Sequence, residues 1–141
     1  MLNSHYILGL VDGEGSFTVY VQGVEQSNRK RRVRAEPKFY LKLVEKDKDI
    51  LYQLKDFFDC GNVYFQRDKR PNHQNCYRYE VASRKDLVEK IIPFFKRNSL
   101  RLNSKQKDFK NFCRLVSMME RGDHLNPEGL RKMRRIKQQM H

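Results

Sequence analysis

Two carboxylates stand where a helix disfavours them. Residues 4–13, with the apolar run Tyr6-Ile7-Leu8-Gly9-Leu10-Val11, read as a short helix with Ser4 as its expected N-cap. Asp12 and Glu14 fall at its carboxyl end, where the negative pole of the macrodipole opposes anions by roughly a few tenths of a kcal/mol. Stability alone favours Lys or Arg there. Carboxylates and unpaired main-chain carbonyls gathered at one helix end are hard oxygen donors, which suit Mg²⁺ or Ca²⁺. Beside phosphates, such an acid repels the ligand unless a cation lies between them. Metal-assisted phosphodiester cleavage needs that arrangement, because the ion polarises the phosphate, generates hydroxide and stabilises the leaving oxygen. Gly9 and Gly13, four residues apart, share a helix face where the missing Cβ lets two backbones approach closely. If the partner is a second copy of this helix, the two Glu14 side chains end side by side. Gly13-Glu14-Gly15 is not a dinucleotide fingerprint, since it follows a helix and lacks the third glycine.

The charge balance says what such a site faces. Thirty Lys and Arg against seventeen Asp and Glu leave +13 on one small surface, which favours a polyanionic partner. An anionic membrane also fits that charge, but the cations here alternate with Tyr, Gln and Asn, which suits base edges and phosphates better than lipid. A chain of 141 residues is one domain's worth, spanning 1–141. Its hydrophobic fraction of 38% permits a folded core. No apolar run approaches the ~20 residues of a membrane span, and no basic segment followed by an apolar one marks a secretory signal. The expectation is an intracellular protein, cytoplasmic or organellar. Cys60, Cys76 and Cys113 are an odd count without a CxxC pair, and His73 near Cys76 lacks a second ligand pair. They read as small hydrophobes or as incidental.

The elements that must position the acids follow from periodicity. Residues 16–22 alternate, with Phe17, Val19 and Val21 on one face and Ser16, Thr18, Tyr20 and Gln22 on the other. A basic loop with Arg29, Lys30, Arg31 and Arg32 leads to a second alternating run, Phe39, Leu41 and Leu43 inward and Lys38, Tyr40 and Lys42 outward. Residues 47–58 have helical spacing, with Gly61 just beyond. Residues 62–67 and 75–82 read as strands joined by a polar loop. Ser83 caps a helix that Pro93 is expected to end, residues 104–119 form a longer one, and Pro127 opens a last one over 128–139. The order α-β-β-α-β-β-α-α predicts an α+β fold, a curved four-stranded antiparallel sheet with helices on one face. The opposite face is polar, aromatic and basic, either an ordinary solvated surface or a binding surface. No internal repeat is visible.

Residues 7–15, Ile-Leu-Gly-Leu-Val-Asp-Gly-Glu-Gly, resemble the motif that names the LAGLIDADG homing endonucleases, and Ser16-Phe17 continues it. Further stretches resemble the spaced signatures of intron-encoded members. They are Phe39-x-Leu41 through Lys46-Asp47, Gly61-x-Val63, Tyr79-x-Val81-x-Ser83-x-x-Asp86-Leu87, Ile91-Ile92-Pro93, Lys105-x-x-Asp108-Phe109, and His124-Leu125 with Glu128-Gly129-Leu130. The resemblance covers nearly the whole chain and implies the αββαββαα fold of that family. It implies a homodimer that makes a metal-dependent double-strand break in a long pseudo-palindromic DNA target, with Mg²⁺ as cofactor and Mn²⁺ or Ca²⁺ able to substitute for binding.

By the same resemblance Glu14 binds the ion, Gly13 lends its carbonyl to it, and Asp12 is structural. Gly9 and Gly13 belong to the helix–helix seam, together with Ile7 and Leu10. A basic helper is expected near the start of the 104–119 helix. Lys105 is favoured over Lys107, and Asn103 stands where some members have Lys. Glu45 is the only candidate for a second polar helper at the end of the second strand. A shared site makes each half of the target the ligand of one sheet. Ser16, Thr18, Tyr20, Gln22, Lys38, Tyr40, Lys42, Tyr64, Gln66, Arg67, Arg78 and Glu80 would face the major groove. Arg29, Arg31, Arg32 and Arg34 would neutralise phosphates, unless that run is a solvated loop or a targeting signal. The basic last helix, with Arg131, Lys132, Arg134, Arg135 and Lys137, is expected to be solvated or to touch the backbone. Two other readings compete with the nuclease: an intron RNA maturase, and a DNA-binding regulator without catalysis.

Overall fold

The computed structural model describes residues 2–22 and 35–141. Helix α1 (Ser4–Glu14) passes into β1 (Gly15–Val21) with no loop between them. Its cap is Asn3 rather than Ser4: the Asn3 Oδ1 accepts the Tyr6 N–H at 2.9 Å, and Ser4 is already helical. β2 (Ala35–Val44) ends in a short 3₁₀ turn (Glu45–Asp47) that leads into α2 (Lys48–Phe58). β3 (Asn62–Gln66) and β4 (Cys76–Val81) follow. Next comes α3, built of Arg84–Asp86, a π-helical turn at Leu87–Ile91, and Ile92–Arg97. Then α4 (Asn103–Glu120) and, past a 3₁₀ turn, α5 (Pro127–Lys137) close the described chain. Three helices follow β4, so the basic segment opened by Pro127 adds a final helix to the αββαββαα string.

Two helix ends carry their reasons in the sequence. Ser83 Oγ accepts the Asp86 N–H at 3.3 Å, and Asn126 Oδ1 accepts that of Gly129 at 2.8 Å. Pro93, however, does not end its helix. It cannot donate to the carbonyl one turn back, and the helix widens just before it, with the Ile92 N–H reaching Leu87 O. Burial of Ile91, Ile92, Phe94 and Phe95 holds the helix through that defect as far as Arg97.

All strand pairs are antiparallel, in the order β1-β2-β4-β3. Two hairpins therefore meet through their second strands. The inner face is the apolar set Phe17, Val19, Val21, Phe39, Leu41, Tyr79 and Val81, all buried. Against it pack Leu51, Leu54 and Phe58 of α2, Phe112, Leu115 and Val116 of α4, and Leu130 and Met133 of α5. Phe17 is the aromatic hub: its ring lies 5.1–5.5 Å from those of Phe39, Phe95, Phe109 and Phe112. Between α2 and β3 the chain turns at Gly61, whose φ of 83° favours glycine and whose added Cβ would stand 2.8 Å from Glu80 O.

The buried Tyr79 hydroxyl donates to Cys60 O at 2.8 Å, and burial pushes its phenol well above its usual range. The three cysteines are free thiols. Cys60 and Cys113 pack against the core, and burial raises both, Cys113 to about 11. Among the described residues, no helix is long and apolar enough to cross a membrane. Because Phe17 joins the first strand to α3 and α4, Phe17→Ala is expected to cost about 3–5 kcal/mol. Urea unfolding followed by circular dichroism measures this, and a loss below about 1 kcal/mol would contradict the hub.

Candidate active site and nucleic-acid interface

The junction of α1 and β1 is tight for a steric reason. A Cβ on Gly15 would stand 2.7 Å from Val11 Cγ1 and 3.0 Å from Val11 O, so only glycine fits as the chain leaves the helix for the strand. Two residues on, Phe17 anchors the strand in the core. Glu14, the last helical residue, is left exposed at the end of α1. Among the described residues, no Lys, Arg or His lies within ion-pair distance of it.

Asp12 has a different fate. Its carboxylate accepts the Arg101 N–H at 2.9 Å and the Leu102 N–H at 3.2 Å. These two residues lead into α4, and the α4 N-cap, Leu102, has no side-chain cap of its own. Asp12 thus stands at the unfavourable pole of its own helix and at the favourable pole of another. The acid serves as a cap supplied from elsewhere in the sequence, a structural role as expected.

That tie brings Lys105 to the junction. The Lys105 Nζ donates to Gly15 O, so the ammonium and the Glu14 carboxylate flank the same turn of main chain. Asn103 is the first residue of α4 and exposed. Lys107 is exposed further along α4. Glu45 lies elsewhere. It follows β2 by one residue, four past Leu41, the register partner of Gly15, and its N–H donates to Asn75 O at 3.0 Å. At ~3.3 Å per residue along a strand, that is on the order of 10 Å from the junction. The side chain one residue past the Gly15 register is Lys42, exposed on the outer face. The register could have singled it out, but the alternation pattern alone does not fix register.

The exposed strip of α1 differs from the expected seam at one residue. Ile7 is fully buried in the chain's own core and cannot face a partner, because it lies one turn from Val11 on the inward side. Tyr6, 47% exposed, stands with Gly9, Leu10 and Gly13 on the outward side. A Cβ added to Gly9 or to Gly13 would meet nothing within 4 Å.

On the sheet's outer face the register arranges the polar side chains in rows. Ser16, Tyr40, Glu80 and Asn62 form one; Lys42, Arg78 and Tyr64 the next; Thr18 pairs with Lys38, Tyr20 with Glu36, and Gln66 with Cys76. Arg67 is exposed at the end of β3. Gln22 is not part of this face. It lies beyond the end of β1, only 2% exposed, next to Val21, whose carbonyl accepts from Arg134 Nη1 at 2.9 Å. The outward phase of the alternation stops with the strand. Glu36, Asn62 and Cys76 complete the rows; their positions come from cross-strand pairing, which no single run of sequence displays. Arg29, Arg31, Arg32 and Arg34 lie outside the described residues. At the far hairpin, Asp68 accepts from Arg70 Nη2 at 2.8 Å, and this bond holds its carboxyl well below the usual range.

Comparison with known proteins agrees with this geometry. Residues 7–116 match the family model for LAGLIDADG endonucleases. A probable intron-encoded DNA endonuclease of Mycosarcoma maydis is 35% identical over 108 residues, which are 77% of this chain and 35% of that protein. The chain thus spans about a third of that relative's length. The crystal structure of the homing endonuclease I-TnaI superposes with a TM-score of 0.82 at 36% identity, covering 99% of this chain and 88% of that one. I-SmaMI bound to uncleaved DNA target in the presence of calcium ions superposes with a TM-score of 0.81 at 30% identity, covering 97% of this chain and 44% of that one. With the motif at the α1–β1 junction, the sheet and the helices behind it all accounted for, the chain belongs to the LAGLIDADG endonuclease family.

Proposed function

We propose that this chain is a homing endonuclease that makes a metal-dependent double-strand break in a long pseudo-palindromic DNA target, acting as a homodimer. The observation that carries the reading is the exposed Glu14 carboxylate at the end of α1, without an ion-pair partner among the described residues and one residue from the carbonyl that holds the Lys105 ammonium. The donor set fits a hard divalent ion such as Mg²⁺, for which Mn²⁺ or Ca²⁺ could substitute in binding: a free carboxylate, with the Gly13 carbonyl among the last of the helix. Among the described residues, no three His, Cys, Asp or Glu gather into a metal cage. A second Glu14 from a partner copy and the phosphate itself would supply the missing oxygens.

The glycine pair supports that assembly. Glycine inside a helix costs roughly 0.5–1 kcal/mol relative to alanine, and nothing among the described residues needs the space at Gly9 or Gly13. Close approach of a second α1 accounts for both. The two Glu14 side chains then lie together, and each sheet presents its outer face to half of the duplex. A bound cation would polarise the scissile phosphate and lower the pKa of an attacking water. Glu14 would hold it. Lys105, fixed by Gly15 O, would face the charge that develops on the phosphate oxygens. The structural relative I-SmaMI, bound to uncleaved DNA target in the presence of calcium ions, is consistent with a DNA ligand for the same fold. In that relative this chain matches 44% of the length, which leaves room for a second unit of similar size.

Glu14→Gln keeps the shape and removes the charge. The variant is expected to bind target DNA within about threefold of wild type and to cut at least 10²-fold more slowly in Mg²⁺; cleavage at the wild-type rate would sink the assignment. Gly13→Leu separates assembly from folding. The chain should unfold at the same or a slightly higher temperature, since leucine favours the helix, yet sediment as a monomer and lose cleavage. A dimeric, active Gly13→Leu protein would contradict the shared site.

A further inference from the structure

One carboxylate lies in the middle of the outer sheet face, among its cations. Glu80 is paired in register with Tyr40 on one side and Asn62 on the other, and its side chain is only 17% exposed. Its Oε1 forms an ion pair with Arg78, 2.9 Å from Nη2, and lies 4.0 Å from Lys38 Nζ. The Arg78 guanidinium in turn lies over the Tyr40 ring, 3.7 Å from its centroid, with 21% of the side chain exposed. Its Nε is buried without a hydrogen-bond partner.

This arrangement is costly for plain affinity. A surface selected only to hold phosphates gains from each cation and loses from each acid, so Glu80 weakens it twice, by repelling phosphate and by engaging Arg78. What it supplies is order. A ring on one face and a carboxylate on one edge fix the plane of the guanidinium before any ligand arrives, so little side-chain freedom remains to be lost on binding. The outward N–H groups then form a rigid fork, whose complement in the major groove is the O6 and N7 pair of guanine. Arg78 also sits in the interior row between Lys42 and Tyr64, where base edges rather than the strand backbones would lie.

We infer that Arg78 is a specificity-determining residue that reads a guanine in each half-site, and that Glu80 is the positioning residue that aims it and keeps it from serving as a phosphate contact. The inference rests on the DNA-binding reading above and assigns within it the base that one side chain reads.

Selection from a pool of randomised duplexes, with the full chain in Ca²⁺, tests it. The wild-type consensus should carry guanine at two symmetry-related positions. Arg78→Lys should lower the preference at those two columns by about tenfold, leaving the others unchanged. Glu80→Gln should bind a random duplex at least as tightly as wild type, yet lose about fivefold of the same preference. Near-ultraviolet circular dichroism matching wild type excludes misfolding as the cause. Unchanged guanine preference in both Arg78→Lys and Glu80→Gln, or a wild-type consensus without the guanine columns, overturns this inference alone. A pool from which the wild-type chain enriches nothing overturns the DNA reading with it.

Discussion

Asp12 accepts two main-chain N–H groups from residues 89 and 90 positions away in sequence, and the geometry of the candidate site depends on that contact. The carboxylate spans the carboxyl end of α1 and the amino end of α4, two helices that otherwise meet the sheet separately. Without it, α4 would begin with uncapped donors, and Lys105, the third residue of that helix, would be held at the junction only by its bond to Gly15 O and by the aromatic packing further along the helix. The electrostatics of the two acids therefore differ despite their spacing of two residues. Asp12 is neutralised by an opposing helix pole and by hydrogen bonds, and Glu14 has no such compensation among the described residues. A carboxylate left without a partner on a chain of net charge +13 is an unmet demand for positive charge, which a cation can meet.

Most of the architecture was legible because two periods dominate the chain. Strict alternation through Phe17, Val19 and Val21, and again through Phe39 and Leu41, identified half-buried strands and their inward faces before any fold was considered. Caps and breakers gave two helix starts, at Ser83, whose hydroxyl caps its helix, and at Pro127, the first residue of the last one. Glu14 and the Gly9–Gly13 pair came from a motif whose residue types already look anomalous for stability, and Lys105 came from the family resemblance alone. In such places local rules and global purpose diverge, and the divergence is itself a signal.

What stayed hidden depends on contacts between distant segments. Strand order and register are tertiary facts, so the rows of the outer face, with Glu36, Asn62 and Lys42 in their positions, could not be read from any one run. Ile7 and Gln22 were misjudged for a related reason. On a helix apolar nearly all round, periodicity does not say which stripe faces home, and Ile7 belongs to the buried one. At a strand's end, alternation predicts an outward side chain even where the chain has left the sheet, as at Gln22. Pro93 is the opposite case: a strong local rule for ending a helix was overridden by the burial of Phe94 and Phe95 on its far side.

The same reasoning explains why a single chain looks unfinished. Folding alone does not account for two glycines inside an eleven-residue helix, an uncompensated glutamate at its end, or a polar sheet face stitched together by Arg78, Glu80 and Tyr40. The glycines and the glutamate cost stability in the isolated protein. Each becomes favourable in one common circumstance: a second copy abutting α1 and a polyanion lying along the sheet. A helix seam without side chains would bring two carboxylates within reach of one phosphate region, where they would repel each other unless cations were present. Dimer contact, metal binding and nucleic-acid binding would then be thermodynamically linked, each raising the affinity for the others.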